Sequence, residues 1–100
     1  MDDSSDLNKA VILYLGHGML VAPLPDRSRL VLMFGEQRAT ELEPLVKGLL
    51  SEIGSIQIDW NTLSLDAGGR FARSEMQRRH GELSDEALAA LEWKFTFDWR

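Results

Sequence analysis

Residues 40–54, TELEPLVKGLLSEIG, constrain the fold most, because Leu42, Leu45, Val46, Leu49, Leu50 and Ile53 recur at three- and four-residue spacing. Glu41, Glu43, Lys47, Gly48, Ser51 and Glu52 fill the opposite side, so the stretch reads as an amphipathic helix with one face built for burial. Thr40 and Glu43 have capping-box spacing, and Gly54 sits where a left-handed C-terminal cap belongs. Pro44 is harmless at a first helical position and costly at the fourth, so the start falls anywhere from residue 36 to 44. A helix of this kind needs an apolar surface to cover.

The flanking stretches suggest that this surface is a sheet. Residues 10–15, AVILYL, form a continuous run that favours a central strand covered on both faces. Gly16-His17-Gly18 supplies a tight reversal, 19–22 read as a second strand pairing back on the first, and Pro23 and Pro25 end it. Turn chemistry at 25–28 leads to a third strand at 29–34. After the helix, Ile56, Ile58 and Trp60 alternate with polar neighbours as in a half-buried fourth strand.

Residues 69–80 have the length and polarity of an exposed helix, although Phe71 and Met76 share no clean face. The rival is a hairpin turning at 66–69, which would place Leu63, Leu65 and Phe71 in strands. Ser84 can cap a helix from Asp85, with Leu83 and Leu88 at staple spacing. In the closing EWKFTFDWR, Trp93, Phe95, Phe97 and Trp99 alternate perfectly, which a strand would turn into one aromatic face. A continued helix would align Leu88, Leu91, Phe95 and Trp99 and would need a second partner surface for Trp93 and Phe97. The strand is preferred, and the expected fold is α+β: a mainly antiparallel sheet of four to five strands with two to three helices packed on one side.

At 100 residues and 44% hydrophobic, the chain has the size of one domain, expected over 7–100 after a flexible acidic start at 1–6. Sixteen acids against eleven bases give a net charge of -5, which argues against non-specific attraction to nucleic acid or anionic membrane. Cysteine is absent, which excludes disulfides and thiolate chemistry and makes a reducing cytoplasm the default. The acidic MDDSSDLNK lacks the positive charge of a signal peptide, and glycines cut the apolar run well short of a membrane span.

Chemistry-bearing motifs are sparse. His17 and His80 have no ligand spacing with each other or with Asp59 and Asp66, so no metal and no cofactor is expected. His17, placed between two glycines, reads first as a turn residue and secondarily as a mobile proton carrier. No serine has nucleophile-elbow context, and neither glycine cluster matches a phosphate-binding loop.

One local contrast stands out, since Arg70, Arg73, Arg78 and Arg79, extended by His80, gather basic charge in an acidic chain. On a helix, Arg70, Arg73 and Arg78 converge enough to grip a phosphate, a carboxylate or an acidic protein surface. The plainer alternative is a solvated face paired with Glu75, Glu82 and Glu86. The expected function is therefore a small non-catalytic binding or regulatory protein, acting through the Arg-rich segment or the aromatic C-terminal strand on a protein partner, a further copy of itself or a compact anion. A small enzyme or ligand-binding domain with a cleft near His17, Asp59 and His80, with Asp66 as a further carboxylate, is the alternative.

Overall fold

The structure is a computed structural model that describes residues 3–99, and among them it contains helices and no strand. The elements are α1 (Asp3–Leu15), α2 (Arg27–Phe34), α3 (Glu36–Gly54), α4 (Leu65–Arg79) and α5 (Asp85–Asp98). The expected α+β sheet is thereby overturned, and each of its strands fails for a local reason. No helix among the described residues is long and apolar enough to cross a membrane.

Residues 10–15 are the last turns of α1, not a strand. Ala10, Val11, Tyr14 and Leu15 are buried at helical spacing, while Ile12 and Leu13 pack partly against the same core. A short run that is apolar all round suits a helix covered on several sides as well as a central strand, and α1 lies against α2, α3 and α5. The acidic start supplies its first turns: 3–6 are helical, whereas Met1 and Asp2 of the expected flexible segment lie outside the described residues.

Gly16 ends α1 with a φ of 79°. Its N–H donates to Leu13 O at 3.2 Å and that of His17 to Ile12 O at 3.0 Å, the paired bonds of a Schellman cap. The hairpin reading of Gly16-His17-Gly18 needed the same positive φ, so composition alone did not separate a reversal from a helix stop. Residues 19–22 form no strand; the chain returns across the end of α1, where Leu24 N–H meets Leu15 O at 3.1 Å and Asp26 N–H meets Tyr14 O at 3.0 Å.

The turn chemistry at 25–28 is a helix start. Asp26 Oδ1 accepts from Ser28 N–H at 2.9 Å and caps α2, which replaces the third strand. Helix α3 begins at Glu36, and Ala39, Leu42, Val46, Leu49 and Ile53 are its buried face, as the amphipathic pattern requires. Thr40 does not cap it, since its hydroxyl donates to Glu36 O at 3.0 Å inside the helix. Nor is Gly54 a left-handed cap: α3 closes on Ser55, at φ -91° and ψ -4°.

The alternation of Ile56, Ile58 and Trp60 is real but makes no sheet. Ile56 is buried and the other two pack against the core, while among the described residues no strand is present to pair with the segment. Ser64 caps α4, accepting from Ala67 N–H at 3.2 Å, so the helix rather than the hairpin occupies this stretch. Its inward face is Gly68, Gly69, Ala72 and Met76, with Phe71 outside. A Cβ on Gly69 would fall 2.5 Å from Thr96 of α5, so glycine is what allows α4 and α5 to approach this closely.

Ser84 caps α5 as expected, with Leu83 and Leu88 both buried. The helix then runs on to Asp98, which corrects the aromatic C-terminal strand. Leu88, Leu91 and Phe95 face the core, and α5 touches α1, α3 and α4, the further surface that a helical reading of this stretch needed. Trp93 packs against the core from another side, and Phe97 and Trp99 are left exposed.

Candidate functional site

Helix α4 carries the basic cluster and separates it into two groups. At its start, Arg70 is exposed and has no ion-pair partner among the described residues. It borders an open groove of about 450 Å³ with Asp66, Arg73, Ser74 and Glu92. Arg73 is engaged there: its Nη1 lies 3.3 Å from Glu92 Oε1, and its Nη2 donates to Asp85 O at 3.2 Å, tying α4 to the start of α5.

At the end of α4, the remaining members face the protein's own acids. Arg78 pairs with Glu75, and Arg79 reaches Glu75 at 3.2 Å and Glu52 of α3 at 3.1 Å. His80 presents Nε2 to Glu52 at 2.7 Å and Nδ1 to Glu82 at 3.4 Å. The hydrogen bond with His80, reinforced by Arg79, holds the Glu52 carboxyl below its ordinary value. Glu75 is lowered in the same way by Arg78 and then Arg79. Glu75 and Glu82 are two of the acids that the plainer alternative names, with Glu52 and Glu92 supplying the rest.

The candidate cleft residues occupy separate surroundings. His17 sits edge-on to Trp93 with ring centroids 5.3 Å apart, and its Nδ1 is buried without a hydrogen-bond partner. Asp59 Oδ1 accepts from Asn61 N–H at 3.1 Å in the turn before α4. Asp66 is exposed in the first turn of α4, beside Arg70 and Arg73. Among the described residues, no three acids or histidines gather as a metal site would require.

Two features escaped the sequence reading. The first is Arg29, which reaches back from α2 to the end of α1: Nε donates to Leu13 O at 2.7 Å, Nη2 to Tyr14 O at 3.4 Å and also to Leu24 O. Nothing local to Arg29 announces a bond to residues 16 positions earlier. The second is a set of exposed apolar residues, Met19, Leu20, Val21, Leu24, Leu32 and Met33, all but Leu24 of which the expected strands would have placed in a sheet. Leu13, Met19, Leu32 and Met33 border a shallow depression of about 240 Å³ whose remaining lining residue is Arg29.

No known relative names this site. No family model, curated protein or solved structure matches the chain.

Proposed function

We propose that this chain is a non-catalytic binding protein that captures an amphipathic helix of another protein, acidic beside its apolar face, on the surface made by the end of α1, residues 19–24 and α2. The observation that carries this reading is the depression that brings Met19, Leu32 and Met33 together with Leu13, with Leu32 at 86% exposed and Leu20, Val21 and Leu24 also exposed in the neighbouring loop. Met19, Leu32 and Met33 are each more than half exposed and share one depression, so their apolar surface is contiguous there, the mark of an interaction site and not of scattered side chains. Two methionines on the depression give it a deformable wall, suited to the spaced anchors of a helix.

Charge selects the partner's sign. Arg29 lines the depression but is held by Asp26 at 3.4 Å, so the free positive charge at this edge is Lys9, one helical turn before Leu13, which has no ion-pair partner among the described residues. Glu36, three residues beyond Met33, is already held by Arg27 at 2.6 Å. The surface thus has a basic edge in a chain of net charge -5, and an acidic partner complements it. Capture of a compact anion at the start of α4 draws support from the free Arg70 alone, because Asp66 and Glu92 share that groove. The absence of cysteine suits a reducing cytoplasm as the setting.

The test is a titration of protein carrying labelled methionine methyls with a designed amphipathic peptide of about 18 residues, long enough for five helical turns. Its polar face is acidic in one version and basic in the other. Met19 and Met33 methyl signals should move with the acidic peptide, and Leu32→Ser with Met33→Ser should weaken binding at least about tenfold without lowering the melting temperature. Silence with both peptides, or equal response to both, overturns the reading. Sedimentation gives the other decisive result: a wild-type dimer that Leu32→Ser dissociates would assign the surface to a second copy of this chain instead.

A further inference from the structure

A second cavity lies where α1, α3 and α5 meet, with Pro25 of the loop before α2 at its edge. It measures about 480 Å³, within the range of about 300–1,000 Å³ typical of small-molecule sites. Leu50 and Ile53 of α3 form one wall, and Phe95 and Trp99 of α5 form the other. The aromatic wall is backed from behind: Trp60 lies 5.2 Å from Trp99 and 6.3 Å from Phe95, ring centre to ring centre. Trp99 is held in this cluster yet remains half exposed, an arrangement that leaves a ring surface free for stacking.

Polar groups at this cavity are few and specific. Tyr14 lines it and is 6% exposed. Its hydroxyl bonds to no described residue, and it is not a sealed atom either, since His17 Nδ1 is the buried side-chain atom left without a partner among the described residues. An occupant of the cavity therefore meets one unused hydroxyl. Lys94 and Asp98 also border the cavity, but Lys94 Nζ donates to both carboxylate oxygens of Asp98, at 2.7 and 2.6 Å. Their charges cancel.

We propose that this cavity is a binding site for a small uncharged aromatic molecule of one or two fused rings carrying a single hydroxyl or carbonyl. The rings stack between the aliphatic side chains of α3 and the Phe95–Trp99 wall, and the polar group bonds to the Tyr14 hydroxyl. A carboxylate in the same place would have to separate Lys94 from Asp98 and then face the freed acid. An ammonium would face Lys94. A neutral molecule meets neither cost. This site is independent of the helix-capturing surface, and either can stand without the other.

The probe is 2-naphthol, titrated into the full chain and followed by backbone and indole N–H resonances, with 2-naphthoate and 2-naphthylmethylammonium as charged counterparts. The indole signal of Trp99 and the amides of Leu50 and Gly54 should move with 2-naphthol, which should bind at least about tenfold more tightly than either ion. Tyr14→Phe should retain the fold and weaken binding by about 3- to 10-fold, the effect of one neutral hydrogen bond. Trp99→Leu should abolish the saturable shifts while leaving the melting temperature close to wild type, as the residue is half exposed. Equal affinity for the three probes, shifts centred on Met19, Leu32 and Met33, or Tyr14→Phe binding as wild type does would each overturn the assignment.

Discussion

Arg29 shows how much one side chain can hold together in a chain this small. A helix leaves its last four carbonyls without internal donors, and in α1 these belong to Ile12, Leu13, Tyr14 and Leu15. Ile12 O receives Gly16 and His17, Leu15 O receives Leu24, and Tyr14 O receives Asp26, all from the backbone. Arg29 adds a guanidinium to Leu13 O and Tyr14 O and fastens Leu24 O, so one cation completes the cap, meets the negative end of the helix and fixes the returning loop. Its reach depends on the planar fork, which a lysine ammonium lacks. Arg29→Lys should therefore cost about 1–3 kcal/mol in denaturant unfolding, in the range for hydrogen bonds to a charged group. A loss near zero would mean that the backbone bonds hold this corner alone.

At the scale of elements, close approach governs where side chains can be added. Gly69 of α4 faces Thr96 of α5 at a distance that a methyl group cannot share, whereas a Cβ on Gly48 of α3 would meet nothing within 4 Å. Gly69→Ala should destabilise by about 1–3 kcal/mol through forced repacking. Gly48→Ala should stabilise by about 0.5–1 kcal/mol, because alanine favours helix and restricts the unfolded chain. Thermal melts of the two variants should thus move in opposite directions, and shifts of the same sign would show that α4 and α5 are not packed as described. The same elements show what sequence made legible. Helix α3 was readable because one face is apolar and the other polar over many turns, and α5 was readable at its start because Ser84 and two leucines mark it. Helix α4 was readable in extent but not in orientation, since its buried face is built from Gly68, Gly69 and Ala72, residues that carry no hydrophobic signal. Helices α1 and α2 were misread because their runs are short and apolar all round, and alternation at 56–60 and 93–99 describes an extended strip or two helix faces as well as it describes a strand. The basic cluster was visible as composition, while its division between a free Arg70 and a neutralised end of α4 depended on Glu52 and Glu92, acids supplied by other helices.

Across the whole molecule, Glu52 links α3 to α4, the helix pair with the least extensive packing among those in contact. Glu52 near the end of α3 engages Arg79 and His80 at the end of α4, and Glu75 adds to the same cluster, so charge joins the ends of the two helices beside the buried Ile53 and Met76. The linkage fixes the sign of the pH dependence. Hydrogen bonding with His80 places the Glu52 carboxyl below its ordinary value near 4.5 in the folded protein, and Arg78 does the same for Glu75. The unfolded chain therefore takes up protons first as acid is added. The stability these two carboxylates contribute is complete above about pH 4.5 and is lost as pH falls through their lowered folded values. Both are partly exposed, so each contribution is small and depends on salt. Glu52→Gln with Glu75→Gln should reduce stability at neutral pH and flatten its decline below about pH 4.5, and added salt should narrow the gap between the variant and wild type. Urea unfolding of both proteins between neutral pH and the acid limb measures this directly. Curves that stay parallel throughout would mean that these carboxylates keep ordinary acidity in the folded state, and that α3 and α4 are joined by apolar packing alone.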